Sequence, residues 1–266
     1  GRQEEAVQDA EGKARGKGCE EVREINPGIA VIGGGPAGLM AAEAALAAGA
    51  AVDLYEGKAS VGRKFLIAGR GGLNLTHSDP PARFAGRYGA RAPEVARWLD
   101  AFGPDALRAW ARGLGIETFV GSSGRVFPLD QKAAPLLRAW VSRLRDAGLR
   151  IHVRHRCLGF DGDDTLRFAT PEGETTRKHA AVVLALGGGS WPQLGSDGEW
   201  THWLGERVAL APLAPSNCSF DVGWSPNFAE RFAGAPVKPG WIGVRGEDGL
   251  DWHQGEFVVT STGIEG

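Results

Sequence analysis

The feature that most constrains this chain is a run of glycines, Gly33-Gly34-Gly35-Pro36-Ala37-Gly38, set between two stretches of different character. Before it stands Ile29-Ala30-Val31-Ile32, a short apolar run suited to a strand buried on both faces. After it comes an Ala-rich segment, Ala37 to Ala48, with helical composition and Gly49 placed to end it. Val52 to Glu56 has strand character. Strand, glycine turn, helix and second strand make a β-α-β unit, and a crossover of this length suits a parallel pair.

The glycines match G-x-G-x-x-G in the context that gives the pattern meaning. Gly33 permits the tight turn, Gly35 lets backbone approach a pyrophosphate, and Gly38 lets helix and strand pack closely. Phosphates would sit on N–H groups at the helix start, where Pro36 and Ala37 fall, at the favourable end of its dipole. Glu56 follows Gly33 by 23 residues. A carboxylate there accepts hydrogen bonds from ribose hydroxyls and repels a 2′-phosphate, so the nucleotide expected at this site is FAD or NAD rather than NADP. The competing reading is a glycine-rich turn and a surface glutamate with no ligand.

Hydrophobic periodicity organises the rest. Residues 1–27 hold few large apolar side chains and are expected to be a disordered extension. Residues 57–79 show little regular pattern and are expected to be a long functional loop. Helices are expected over Glu94 to Phe102, Ala106 to Leu114 and Ala134 to Ala147, with Trp98, Trp110 and Trp140 on their core faces. Ile151 to Leu158, Leu166 to Phe168 and a buried Ala180 to Leu186 are expected strands, the first two within a β-meander at about 151–179. His152 and His155, three apart on one strand, should point to opposite faces, which argues against a metal site. From about residue 205, Pro and Gly become frequent and short strands replace helices. The expected fold class is α/β. A Rossmann-like domain with a parallel sheet and β-meander would occupy 28–204, and the start of a β-rich inserted domain, incomplete, would occupy 205–266.

Composition narrows the function classes. The formal net charge is −2, with none of the basic excess of a nucleic-acid binder. Cys19, Cys157 and Cys218 are far apart and form no C-x-x-C pair, so neither a dithiol motif nor a zinc signature is present. Sparse, odd cysteines suit a reducing compartment, and a cytoplasmic location is expected. The longest apolar stretch, Leu39 to Ala51, is broken by Glu43 and Gly49, so a membrane span is not expected. The sequence indicates no oligomeric state.

Beyond the glycine turn, Val31 to Leu39 resembles the N-terminus of flavoproteins with two dinucleotide-binding domains. The run from Gly62 to Ser78, Gly-Arg-Lys-Phe-Leu-Ile-Ala-Gly-Arg-Gly-Gly-Leu-Asn-Leu-Thr-His-Ser, is more specific and resembles the signature of the HI0933-like flavoproteins. Ala185 to Pro192 with Gly195-Ser196-Asp197-Gly198 resembles that family's later flavin-side motif, and Thr260 to Gly266 its T-x-x-G-I-x-G stretch. The resemblance implies an FAD enzyme in which a β-rich and a small helical domain interrupt the flavin domain. In that scheme a returning segment carries another Gly-rich flavin contact, and these 266 residues are expected to stop before it. The family's activities include reduction of unsaturated steroid ketones and oxidation of small amino ketones.

The candidate cofactor-binding set is Gly33, Gly35, Pro36, Ala37, Gly38, Glu56, Gly62, Arg63, Lys64, Asn74, Leu75, Thr76, Cys157, Gly187 and Gly188. Arg63 and Lys64 would offset pyrophosphate charge or the charge a flavin gains on reduction; the alternative is two solvated cations. By the resemblance, Asn74 and Thr76 would bond the flavin ring or ribityl chain, and the Cys157 backbone would touch adenine. The Cys157 thiol is expected to be structural. His77 is either an acid/base candidate or a surface histidine, and Trp191 either shapes the substrate entrance or packs against the inserted domain. No residue is assigned as catalytic. The expected function is FAD-dependent redox chemistry, with NAD(P)H as donor and a small organic molecule as substrate. An oxygen-using oxidase of a small amine or amino ketone, or a non-catalytic nucleotide-binding fragment, are the alternatives. A tRNA-modifying flavoprotein would need a basic stripe that this chain lacks.

Overall fold

The computed structural model describes residues 25–67, 72–214, 219–246 and 249–265. The β-α-β unit forms as its sequence requires: β1 (Ile25–Ile32), α1 (Pro36–Ala47) and β2 (Val52–Glu56), with β1 and β2 parallel. β1 begins earlier than the apolar run. Ile25 and Asn26 pair with a later strand before a register break ahead of Ile29, so Ile25–Pro27 belong to the sheet and not to an extension. Pro27 has no N–H to give a ladder, which fits a break there. The remaining residues of that expected extension, 1–24, lie outside those described.

The stretch after β2 is more regular than expected. It contains α2 (Arg63–Ile67) and β3 (Thr76–His77). Next come α3 (Pro81–Gly86), α4 (Ala92–Ala101), α5 (Pro104–Gly113), β4 (Thr118–Val120), β5 (Arg125–Pro128) and α6 (Ala133–Asp146). β3, β5 and β4 make a small antiparallel sheet that the helical periodicity around it had concealed.

Then follow β6 (Arg150–Val153), β7 (Arg156–Asp161), β8 (Thr165–Thr170) and β9 (Gly173–Leu184). The expected single strand 151–158 is two strands, because Arg154 adopts φ 57° and turns the chain. The main sheet has the order β6-β2-β1-β9-β8-β7. β6, β2, β1 and β9 are parallel; β9, β8 and β7 form the antiparallel meander.

This order forces a three-layer architecture. β6 and β7 are consecutive in the chain yet stand at opposite edges of the sheet. In a flat sheet five interstrand spacings would separate them by about 24 Å. The three steps from Val153 to Arg156 reach at most about 11 Å. The sheet must therefore fold over so that the meander lies on the parallel strands. It does: Phe168 of β8 stacks on Tyr55 of β2 at 4.4 Å between ring centroids. Ala30, Ile32, Tyr55, Leu166 and Phe168 form the core between these layers. The alternate residues Val31, Val52 and Leu54 face the other way and pack with Leu39, Leu136, Trp140 and Leu144 of α1 and α6. Burying each such leucine contributes about 1.5–3 kcal/mol.

Two expectations about burial fail. Trp98 is 68% exposed, because α4 buries only Val95, whereas Trp110 and Trp140 do pack in the core. β9 is exposed or half-buried along its length, with His179 its one buried residue. Its pairing with β8 ends at Lys178, so among the described residues its second half has a partner, β1, on one edge only.

After β9 come α7 (Trp200–Gly205), β10 (Phe220–Asp221), α8 (Pro226–Phe232), β11 (Pro236–Gly246), β12 (Gly249–Val259) and β13 (Gly263–Glu265). The strands form an antiparallel sheet in the order β10-β13-β12-β11, and α8 adds a helix where only strands were expected.

Two polar nodes hold the layers. In the helical layer, Glu43 of α1 accepts hydrogen bonds from Trp110 Nε1 (3.1 Å), Trp140 Nε1 (2.6 Å) and Arg143 (2.5 Å), joining α1, α5 and α6. At the sheet edge, Asp53 is buried and takes a bidentate bond from Arg150 (2.8 and 2.7 Å) and a third contact from His152 Nε2 (2.7 Å). Burial alone would raise the Asp53 pKa, but these bonds outweigh it and bring it from the ordinary 3.8 to about 2.

Replacing Glu43 by Ala should destabilise the fold by about 2–3 kcal/mol in urea unfolding, since it strands two indole N–H groups and a guanidinium. A loss below about 0.5 kcal/mol would show that solvent replaces the carboxylate freely. For Asp53, the folded state holds its proton more weakly than the unfolded chain. Its contribution, about 1–2 kcal/mol, is present above pH ~4 and is lost as pH falls towards ~2. Asp53→Asn should therefore be less stable at pH 7 and show a flatter stability profile between pH ~4 and ~2. Parallel profiles for the two proteins would rule this carboxylate out as the source.

Candidate functional site

At the C-terminal ends of β1 and β2 the glycine turn is built by close backbone approaches. Gly33 has φ 110°, and a Cβ there would stand 2.3 Å from the Ala185 carbonyl oxygen. A Cβ on Gly38 would stand 1.8 Å from the Gly33 carbonyl oxygen. Neither position admits another residue without displacing backbone. Gly34 is also constrained, its Cβ position lying 2.6 Å from Val61 Cγ1, although the spacing pattern leaves that residue open. Gly35 differs: nothing lies within 4 Å of where its Cβ would be. The open space at Gly35 faces no protein atom that would explain the glycine. A pyrophosphate against the turn would explain it.

α1 starts at this point with Pro36 as its first residue and with no side-chain cap and no acidic residue in its first turn. Its N-terminal N–H groups and dipole are thus left to an anion. Pro36 and Ala37 are exposed beside them.

Glu56 is held in place at the end of β2. Its carboxylate accepts from Gly34 N–H and from Lys58 N–H, both at 2.8 Å. Each oxygen retains a second lone pair that can accept from a ribose hydroxyl. A cleft of about 150 Å³ is lined by Gly33, Tyr55, Glu56, His155, Arg156 and Cys157, together with Trp200 and Trp203 of α7. Its shape and lining suit a nucleoside attached to a phosphate at the turn.

Other expected residues fall into two groups. Gly62, at φ 68°, is brought to the turn, its N–H donating to the Gly34 carbonyl at 2.8 Å. Arg63 and Lys64 therefore begin α2 beside the turn. Arg63 Nε is buried without a hydrogen-bond partner, and Lys64 Nζ lies 2.8 Å from Ser190 Oγ. Ala185 N–H donates to Ile32 O, which sets the segment carrying Gly187 and Gly188 beside the turn. Ser196 Oγ donates to the Gly188 carbonyl at 2.9 Å. Cys157 lines the cleft, where burial pushes its thiol pKa up and away from reactivity.

Asn74, Leu75 and Thr76 stand apart. Leu75 N–H and Thr76 pair with Val126 of the small sheet, Leu75 packs on the core, and Asn74, ahead of the strand, is exposed. They do not line the cleft. Ala68 to Gly71 of the same motif lie outside the described residues. His77 is a clamp for its loop. Asp79 N–H reaches its Nδ1 (3.1 Å) and its Nε2 faces the Ser123 carbonyl (2.9 Å), so both ring nitrogens are engaged. Trp191 is 43% exposed and bridges to Ser196.

The two histidines expected on opposite faces converge instead. His152 and His155 lie 5.5 Å apart between centroids, and both pack on Tyr55, because the turn at Arg154 redirects the chain. Burial, with Asp53 nearby, pushes the Tyr55 phenol up to about 12. Its hydroxyl lies 3.0 Å from His179 Nε2, whose imidazole is shifted down by burial. Among the described residues no group of His, Cys, Asp and Glu could hold a metal, and no helix is long and apolar enough to cross a membrane.

Lys58, His155, Arg156, Trp200 and Trp203 also line the cleft and were not expected there, whereas Asp197 comes from the expected flavin-side motif. For His155 and Arg156 the signal would have been the turn at Arg154, which no residue pattern marks.

The geometry separates folding from binding at the glycines. Gly38→Ala should cost more than about 3 kcal/mol and leave little folded protein. Gly35→Ala should change stability by less than about 1 kcal/mol while weakening FAD or ADP binding at least about tenfold, as its methyl takes the ligand's space. Unaltered affinity in a calorimetric titration of Gly35→Ala would remove the phosphate from this turn.

The chain is 31% identical over 245 residues to a 3-dehydro-bile acid delta(4,6)-reductase of Clostridium scindens, covering 90% of this chain and 58% of the relative's length. It thus spans little more than half of that protein. Among solved structures, the open conformation of a flavocytochrome c3 fumarate reductase matches with TM-score 0.50 and 19% identity, over 63% of this chain and 34% of the other. A 3-ketosteroid-delta4-(5alpha)-dehydrogenase from Rhodococcus jostii RHA1 matches with TM-score 0.48 and 17% identity, over 64% and 48%. The likeness to the fumarate reductase is one of fold. The family model described as the HI0933-like protein Rossmann domain matches residues 27–213, and the chain belongs to the HI0933-like family.

Proposed function

We propose that the protein is an FAD-dependent oxidoreductase, and that the described cleft holds the adenosine and pyrophosphate end of the cofactor. The observation that carries this reading is the turn itself: Gly33 and Gly38 are glycines for the sake of the fold, whereas Gly35 opens onto empty space at an uncapped helix start beside Glu56. The turn and α1 would take the pyrophosphate, Glu56 the ribose hydroxyls, and Arg63 would add positive charge nearby. When bound, the flavin supplies hydride-transfer chemistry, and the protein binds and orients it. The carboxylate of Glu56 disfavours a nucleotide with a 2′-phosphate at this site.

We assign the intact protein to the reductases, with NAD(P)H as electron donor and a small organic molecule as substrate. The support is the relative of 31% identity that is a 3-dehydro-bile acid delta(4,6)-reductase; a 3-dehydro-bile acid is accordingly the first substrate to assay. The proposal includes a division near residue 205, after which the separate sheet of β10–β13 begins a second domain.

The test is a visible spectrum of the purified protein after addition of FAD, followed by anaerobic NADH or NADPH. A bound-flavin spectrum that bleaches with either nucleotide supports a reductase. Bound flavin that bleaches only with an amine supports an oxidase. A protein that takes up no FAD, in this chain and in a longer one, overturns the cofactor assignment.

A further inference from the structure

The sheet of β10–β13 ends on an open edge. β11 stands last in the order β10-β13-β12-β11, and among the described residues no strand pairs with its outer side. Such an edge invites pairing with another chain unless proline, charge or a bulge blunts it. The first part of β11 is blunted in all three ways: it carries Lys238 and Pro239, and its register with β12 shifts between Val237 and Gly240. The second part, Gly240 to Gly246, pairs with β12 without a break and is not blunted. It carries Trp241, Ile242 and Val244, with Trp241 67% and Val244 58% exposed.

This second part is symmetric in chemical character about its centre: Gly240-Trp241-Ile242-Gly243-Val244-Arg245-Gly246. Two identical strands laid antiparallel about a two-fold axis at Gly243 would set Ile242 opposite Val244, Trp241 opposite Arg245 and Gly240 opposite Gly246. Residues directly opposite share a face of the sheet. Ile242 and Val244 would then meet as β-branched neighbours on one face. On the other face the Arg245 guanidinium would lie against the Trp241 indole, a cation on an aromatic ring. Gly243 opposite Gly243 would leave a gap on that face, but each copy has a side chain to cover it. Trp252, the partner of Gly243 in β12, lays its ring over the glycine, so closely that a Cβ there would stand 3.1 Å from the ring. Trp252 is itself exposed in the single chain.

We propose that β11 pairs edge to edge with β11 of a second copy of this chain, antiparallel and centred on Gly243, in a two-fold dimer whose sheet runs through both copies. The contact is the same patch on both copies and so closes at two. Gly240 to Gly246 supplies far fewer residues than the roughly 20–30 a side of a standard interface, so the dimer is a weak one that forms at micromolar concentrations. The pairing depends on the β10–β13 sheet and not on the cofactor.

Sedimentation velocity from low to high micromolar concentration tests it. The unaltered chain should pass from monomer to dimer and no further. Two substitutions at the exposed Trp241 read the register, and both should leave the thermal melt unchanged. Trp241→Lys sets a cation opposite Arg245 of the second copy and should leave a monomer. Trp241→Glu loses the same indole but sets a carboxylate opposite that arginine. It should dimerise about tenfold more tightly than Trp241→Lys, because the two-fold axis counts each change twice. A monomer at every concentration, growth beyond a dimer, or equal behaviour of the two variants overturns the proposal. So does a longer chain of this protein that stays monomeric, since a segment of its own would then cover the β11 edge.

Discussion

The structure depends on a close approach of three backbones. β1, the start of α1 and the segment leaving β9 meet at Gly33, where one added carbon would stand 2.3 Å from Ala185 O, and at Gly38, where it would stand 1.8 Å from Gly33 O. Because no side chain intervenes, α1 can lie directly on the parallel strands. The same approach sets the N-terminus of α1 at the open end of the sheet. The packing of α1 and the placing of its uncapped first turn are thus two results of one steric fact. Gly35 takes no part in the packing, since its side-chain position is open.

The second constraint is topological. Two residues separate β6 from β7, although these strands stand at opposite edges of the hydrogen-bonded order. The sheet can satisfy this only by folding the meander over β1 and β2. That layer then buries Tyr55 between His152 and Phe168 and brings His155, Arg156 and Cys157 next to Glu56. The cleft therefore joins the end of one layer to the corner of another.

Polar groups inside these layers are matched rather than avoided. Glu43 stands on the helical stripe of α1 and would be costly there unpaired, but two indoles and a guanidinium supply donors from α5 and α6. Asp53 is matched in the same way by Arg150 and His152 of β6, which pins the edge strand in register with β2. Both nodes link segments 67 to 100 residues apart, so they report correct assembly as well as stabilising it.

Sequence by itself determined the β-α-β unit, the glycine turn, Glu56 at the end of β2 and the helices around Val95, Trp110 and Trp140, because each depends on contacts within one element or between neighbours. Periodicity and turn sterics act locally, and so they are legible locally. Only the tertiary structure decided the rest. The turn at Arg154 split one expected strand into two and swung His155 into the cleft; a non-glycine residue at positive φ leaves no sequence mark. Trp98 obeyed helical spacing and still lies in solvent, because spacing defines a face but not whether anything covers it. Thr76, inside the Gly62 to Ser78 motif, falls on a separate small sheet, while Trp200 and Trp203, far along the chain, line the cleft. Distance along the chain sets which elements form, and the folding of one layer over another sets which side chains meet.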